Sequence, residues 1–472
     1  MREPLQKFTE FASGLLPHET EYLLSVQQLA DPERLEILRL VNNHSHGLPA
    51  QAFDTTIDKR KYHHLQSWIT EKLTEIDVDA QLKDMLDLEH RMATDAITPE
   101  DDRYIIRALR TYRHPGFYFT RFYELVEQYR QFLLLRVRLE DYQLADDFLQ
   151  QYYEKYQYAK NVFGRLHHAT REIVKHYTGA GSASGQWEPW LTSVFYDESL
   201  DGYNRIHALV RLTFIAHNYG QYEMLRDKYT YLEQWFAEGK FYSRRLLLDY
   251  YHNRLMLHAH FGEEDQAIPY GYLAIRCKTQ DYLTYVNHFA GVLLRFKRPE
   301  EALGLLKKVA AEVKITPSFY TRLDYVATYL DALNKQSLFR HAASYGASFL
   351  QAYHEDIKQY RWSIFIMAYF EALLQQRQGA KVLAEIKKYQ LVALETTQPE
   401  DFPVISVCQA VARYLTDHLG RKDLLKQFMH WHQVSQATDQ WRADFKKTWQ
   451  ALQPVIPEVL NYVNVLPGRP EN

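Results

Sequence analysis

Along most of this chain apolar residues return every three or four positions, the spacing that gathers them on one side of a helix; runs alternating apolar with polar residues are nearly absent. Three helix starts carry side chains able to accept first-turn amides, each followed by a proline that needs no donor there. Asp31-Pro32-Glu33 opens LEILRLV, Thr98-Pro99-Glu100-Asp101 opens YIIRALRTY, and Thr316-Pro317 opens SFYTRLDYVATYLDAL. The pattern predicts an all-α protein.

Two breaks interrupt it. His114-Pro115-Gly116 stops one helix and reopens the chain, so residues 1–115 are read as an N-terminal helical domain. Gly179-Ala180-Gly181-Ser182-Ala183-Ser184-Gly185 follows a long helical stretch ending near His176. A phosphate-cradling loop would follow a strand and carry Lys-Ser or Lys-Thr, so this run is read as a flexible surface loop. From 434 to 472 the chain predicts one more helix, ATDQWRADFKKTWQALQ, then Pro454, Pro457 and a polar tail. That helix is expected to cap the stack before it.

Beyond the second break the chain repeats itself. Phe261-Gly262-Glu263-Glu264-Asp265-Gln266-Ala267-Ile268 lies between two helical patterns, and Lys297-Arg298-Pro299-Glu300-Glu301-Ala302-Leu303 has the same logic 35 positions later. Gly262 permits a tight reversal, the acids suit the following helix N-terminus, and Ala267 or Ala302 lets two helices approach closely. Here the chain resembles the tetratricopeptide repeat family. Carried along the chain, the frame places second-helix anchors at Leu225, Ala267, Ala302, Ala342, Val382 and Leu425, in steps of 42, 35, 40, 40 and 43 residues. Most steps exceed the family's usual period of about 34. The resemblance implies a right-handed α-solenoid of antiparallel helix pairs over 116–433, clearest over 205–433.

Composition narrows the class of protein. Lys plus Arg number 56 against 59 Asp plus Glu, a formal charge of −3 over 472 residues, so no global excess of positive charge favours nucleic acid. Two cysteines, Cys277 and Cys408, make neither a disulfide framework nor a four-thiolate zinc site. The first residues lack a signal-peptide core, and the most apolar stretch, Trp362 to Phe370, meets Glu371 well short of a bilayer span. The expectation is a soluble cytoplasmic protein without cofactor, metal or membrane partner.

Candidate chemistry is sparse. His252, His258 and His260 fall on different helix faces, without the two-histidine zinc spacing. Arginines followed four to seven residues later by histidine, such as Arg171/His176, Arg211/His217, Arg245/His252, Arg254/His260 and Arg413/His418, resemble the pair of HEPN-type ribonucleases; with 21 histidines such spacings arise by chance. Tyr152, Tyr153, Tyr156 and Tyr158 occupy more than one helix face, which suits packing better than base stacking. Lys59, Arg60 and Lys61 open an amphipathic helix that fits a solvated surface or a DNA-reading output.

In a repeat array the first helices line the inner wall. The resemblance therefore implies inward-facing candidates at His207, His217, Asn218, His252, His260, Asn287, Arg295, Asn334 and Lys335. Their donors and imidazoles suit a peptide backbone or an acidic partner surface. The leading expectation is a non-enzymatic scaffold binding a peptide or partner protein. The alternatives are a repeat-based sensor with an N-terminal output domain and an RNA-cutting helical enzyme.

Overall fold

The expected helix starts are built as their side chains require. Asp31 accepts from Glu33 N at 3.0 Å with Pro32 in the first turn. Thr98 and Asp101 form a reciprocal capping box, 3.3 Å from Asp101 N to Thr98 Oγ1 and 2.9 Å from Thr98 N to Asp101 Oδ2. The third start lies slightly later than expected: Ser318, not Thr316, accepts from Thr321 N. This computed structural model describes residues 5–47, 52–177, 184–360, 362–397, 402–436, 439–457 and 459. Every regular element among them is a helix.

The chain forms two units, Met1–Cys277 and Lys278–Asn472. The first contains α1 (Gln6–Ser13), α2 (Pro17–Val26), α3 (Pro32–Ser45), α4 (Lys59–Ile76), α5 (Val78–Ala93), α6 (Pro99–Thr111) and α7 (Phe119–Leu135). It continues with the long α8 (Leu139–Tyr177), α9 (Glu188–Tyr196), α10 (Gly202–Tyr219), α11 (Arg226–Ala237), α12 (Arg244–His260) and α13 (Glu264–Ala274). Side-chain bonds from α2 and α5 cross the boundary expected at 115. The Glu19 carboxylate on α2, with no side-chain exposure, accepts from Arg244 Nε and Nη2 at 2.9 Å each, from Tyr242 Oη at 2.5 Å and from Leu16 N at 2.8 Å. Arg245 pairs with Asp79, Val78 N donates to Tyr242 O, and Arg276 donates to Leu15 O and Ser45 O. A buried carboxylate needs such partners, and α2 finds them more than 220 residues downstream.

The second unit repeats one plan. First helices α14 (Tyr282–Arg295), α17 (Phe319–Lys335), α19 (Trp362–Gln375) and α22 (Val404–Leu415) alternate with second helices α15 (Pro299–Lys308), α18 (Phe339–Ile357), α20 (Gly379–Lys388) and α23 (Arg421–Ser435). Each first helix packs on its own second helix and on the next first helix. Short helices α16 (Ala310–Ile315) and α21 (Val392–Thr397) are inserted after α15 and α20 and account for two of the long steps. The anchors Ala267, Ala302, Ala342 and Val382 are fully buried and Leu225 nearly so. The last anchor is displaced by one position, since Leu424 is buried and Leu425 only half so. Gly379 shows why small residues recur: a Cβ there would stand 2.8 Å from Ala412 O on α22.

The repeat is clearest in the turns between paired helices. Gly220, Gly262, Lys297, Ser337, Arg377 and Asp417 all have φ between 58° and 74°. The next amide in each turn reaches five residues back: Arg298 N to Leu293 O at 2.9 Å, Leu338 N to Leu333 O at 2.9 Å, Gln378 N to Leu373 O at 3.0 Å and His418 N to Arg413 O at 2.8 Å. This is the 6→1 bond of the Schellman motif, which satisfies a free carbonyl at the helix end. In the second unit the left-handed residues recur every 40 positions. The same turn closes α5 at Asp95 and α7 at Val137, so the hairpin α5–α6, assigned from sequence to a separate domain, belongs to the same series.

Val137 is the least suited residue to this turn, being β-branched at φ 57° and largely exposed. Val137→Gly should stabilise the first unit by about 1 kcal/mol, the relief of left-handed strain exceeding the added unfolded-chain entropy. Urea unfolding followed through hydrogen exchange in α7 and α8 reads the gain; an unchanged or lower midpoint would contradict it.

Candidate functional site

Each unit presents its own group of candidates. In the first, the C-terminal turn of α10 carries His217, whose Nδ1 shares a 2.7 Å hydrogen bond with Tyr222 Oη in the following 3₁₀ turn (Tyr222–Leu225). The Tyr222 ring stacks on His260 at 4.0 Å, and His260 meets Phe261 edge-on at 5.0 Å. The Arg226 guanidinium lies 4.0 Å above Phe261. Two expected residues, His217 and His260, are thus joined at the surface through Tyr222, which the sequence reading did not single out.

Beneath this group lies an ion pair the sequence reading also missed. Arg226 Nη2 donates to Glu263 Oε1 at 2.7 Å, and His258 Nδ1 is 2.6 Å from Glu263 Oε2. These hydrogen bonds pull the Glu263 carboxyl down to about 2. Burial lowers His258 against the pull of Glu263. Its Nε2 is buried without a hydrogen-bond partner. Glu263, expected as a helix-start acid, leaves the α13 N-terminus uncapped and turns its carboxylate toward Arg226 and His258.

The other candidates in this unit serve structure to differing degrees. His207 is half-buried and pushed down to about 4, first by burial and then by Arg211. Arg211 is itself buried, donating to Leu166 O at 2.9 Å, Thr170 Oγ1 at 2.8 Å and His207 O at 2.7 Å, so it ties α10 to α8. His252 and Asn218 are half-buried.

In the second unit Arg295 and Lys335 are exposed in the last turns of α14 and α17. Asn287 and Asn334 are not ligand-facing. Both are at most 4% exposed and act as struts: Asn287 Nδ2 donates to Thr321 O at 3.2 Å, and Asn334 Nδ2 to Ala368 O at 2.8 Å. Each crosses from one first helix to the next over 34 residues, satisfying a carbonyl that packing has taken from water. Asn334 also reaches Glu371 Oε2 at 3.3 Å. Glu371 is buried and raised to about 7, by desolvation and then by Asp331, with Lys335, Asn334 and Lys447 opposing. Its sequence signal was present, as the one carboxylate in an otherwise apolar helix.

The remaining motifs lose chemical specificity in three dimensions. Lys61 is bound by Asp31 at 2.9 Å and Glu33 at 2.7 Å, which leaves Lys59 and Arg60 as the exposed cations of that helix start. Tyr156 stacks on Tyr123 at 4.1 Å and Tyr152 packs on Phe148, whereas Tyr153 and Tyr158 face outward. Arg171 is exposed, but the His176 side chain and most of the Gly/Ser run lie outside the described residues. Among those residues no three His, Cys, Asp or Glu side chains are grouped to hold a metal ion, and no helix is long and apolar enough to cross a membrane. Comparison with protein-family models, curated proteins and solved structures finds no match to this chain.

Proposed function

We propose that this protein is an interaction scaffold whose helix pairs, similar to tetratricopeptide repeats and wound right-handed, bind a peptide segment or partner protein along their first helices. The observation carrying this reading is the pair of struts that each span 34 residues, Asn287 to Thr321 and Asn334 to Ala368, together with left-handed turns every 40 residues. The turns close each first helix onto its second, and the struts hold successive first helices side by side. That arrangement is how stacked repeats build an extended binding wall. Aromatic desolvation would supply affinity, with groups such as Arg295, Lys335, His217 and His260 setting register.

The test is tagged purification from the native cell, comparing wild type with Arg295→Glu/Lys335→Glu and His217→Ala/His260→Ala. A defined partner should fall by roughly tenfold or more with one of these pairs, as expected when charge complementarity is reversed or a contact cluster removed. Identical bound proteins across wild type and both folded variants would reject these faces as the binding surface.

A further inference from the structure

Helix α24 (Asp439–Leu452) packs against α23 and also against α19, the first helix of an earlier pair. The segment expected from sequence as a cap thus rests on the last second helix and also reaches back to an earlier first helix. Its aromatic residues are spaced four apart. Trp441 and Phe445 meet Phe402 at 6.1 and 5.9 Å, Phe445 meets His432 at 5.5 Å, and Trp449 meets Phe428 at 5.7 Å. Gln375 Nε2 at the end of α19 donates to Ala451 O at 2.9 Å, and Lys447 Nζ stands 3.9 Å from Asp331 on α17.

The covered surface therefore combines an aromatic wall with an acidic floor, Asp331 and the buried Glu371. It accepts a helix bearing aromatic residues on one stripe and lysine beside it. α24 fills it incompletely. Phe445, Thr448 and Leu452 are buried, yet both tryptophans remain half-exposed and the lysine contact is long. By contrast α19 is buried without interruption from Phe365 to Leu374. The chain beyond α24 adds Val455, Ile456 and Val459 as apolar anchors, so the segment would leave as one piece through residue 459.

We propose that the surface under α24, walled by Phe402 and by Phe428 and His432 of α23 and floored by α19 with Asp331 of α17, is a docking groove for an amphipathic partner helix with aromatic residues at i, i+4 and i+8 and lysine between them, and that α24 is its displaceable internal occupant. This rests on the scaffold reading and assigns it a partner class. Helix-in-groove recognition uses such spaced anchors, and an element whose tryptophans stay half-exposed opens in a local event below global unfolding.

Two measurements on the full chain test it. In wild type, α24 amides should exchange with deuterium roughly 100-fold faster than those of α19, as for local opening below the global event. A labelled peptide of residues 439–459 should bind the chain carrying Phe445→Glu/Leu452→Glu at least about tenfold more tightly than wild type, because the groove is then empty. The same peptide with Trp441, Phe445 and Trp449 changed to alanine should not bind. Exchange of α24 together with α19 overturns the proposal, as does a folded variant that takes no peptide. If the variant does not fold, the wild-type exchange decides. A native partner lost with Arg295→Glu/Lys335→Glu, beside an α24 that never opens separately, would retain the scaffold and remove this inference.

Discussion

Replacing Arg244 with methionine lowers the stability of the first unit by about 3–5 kcal/mol, because it strips the cation from a carboxylate that has left water entirely. Glu19 has no side-chain exposure, and its remaining partners, Tyr242 Oη and Leu16 N, are neutral donors that cannot balance a full charge. Methionine retains most of the side-chain stem, so the loss reports charge more than packing. Adding Glu19→Gln should recover part of it, since removing both charges abolishes the uncompensated group. Hydrogen exchange at α2 and α12 in increasing urea measures both variants. The two helices should lose protection together, because the Glu19 contact joins the N-terminal helices to residues 242–244. Equal stability of wild type and Arg244→Met would contradict the buried-pair account.

Glu371→Gln should stabilise the second unit by about 3 kcal/mol at pH 8 and change it little near pH 4.5. Burial raises the carboxyl to about 7 in the fold from the usual 4.5 of a glutamate, so the native state keeps a proton that the unfolded chain releases between those values. Stability therefore falls as pH rises through this window and levels off above 7, and 1.36 kcal/mol per pH unit sets the approximate size. Asp331 adds to the penalty of ionisation, whereas Lys335, Lys447 and the Asn334 amide reduce it. Glutamine can still accept from Asn334 and carries no charge, so the variant should show a flatter pH profile. Urea midpoints from pH 4.5 to 8, read by exchange in α19, provide the comparison. Parallel profiles for wild type and variant would refute the assignment.

These two positions show where one-dimensional reading loses information. Glu371 was visible as a charge interrupting an apolar run and served only to argue against a membrane span; its surroundings come from α17 and α24, 40 residues before it and about 75 after it. Glu19 had no distinguishing pattern, since its partners are more than 220 residues away. Asn287 and Asn334 were assigned to the inner wall because polar residues on first helices ordinarily face solvent. Each is instead buried against the next helix, where an exposed-face rule cannot apply. The surface group His217–Tyr222–His260 was partly legible, as two of its three rings were named and the third lies in the connecting turn.

The turns make the same point in the opposite direction. Searching for glycine identified the 262 turn clearly, whereas Lys297, Ser337, Arg377 and Asp417 adopt the same left-handed conformation. Each bears the local left-handed cost while the 6→1 bond is kept, so the backbone repeat persists where the residue signature has decayed.

Apolar spacing, capping residues and small second-helix anchors determined from sequence alone that this chain is helical and that its middle consists of helix pairs, because those features act within one or two turns of the backbone. Tertiary structure decided that the division falls after Cys277, that Asn287 and Asn334 are struts, and that α24 covers α19. Each of these depends on which distant surfaces exclude water together, and burial between remote segments leaves no local period to read.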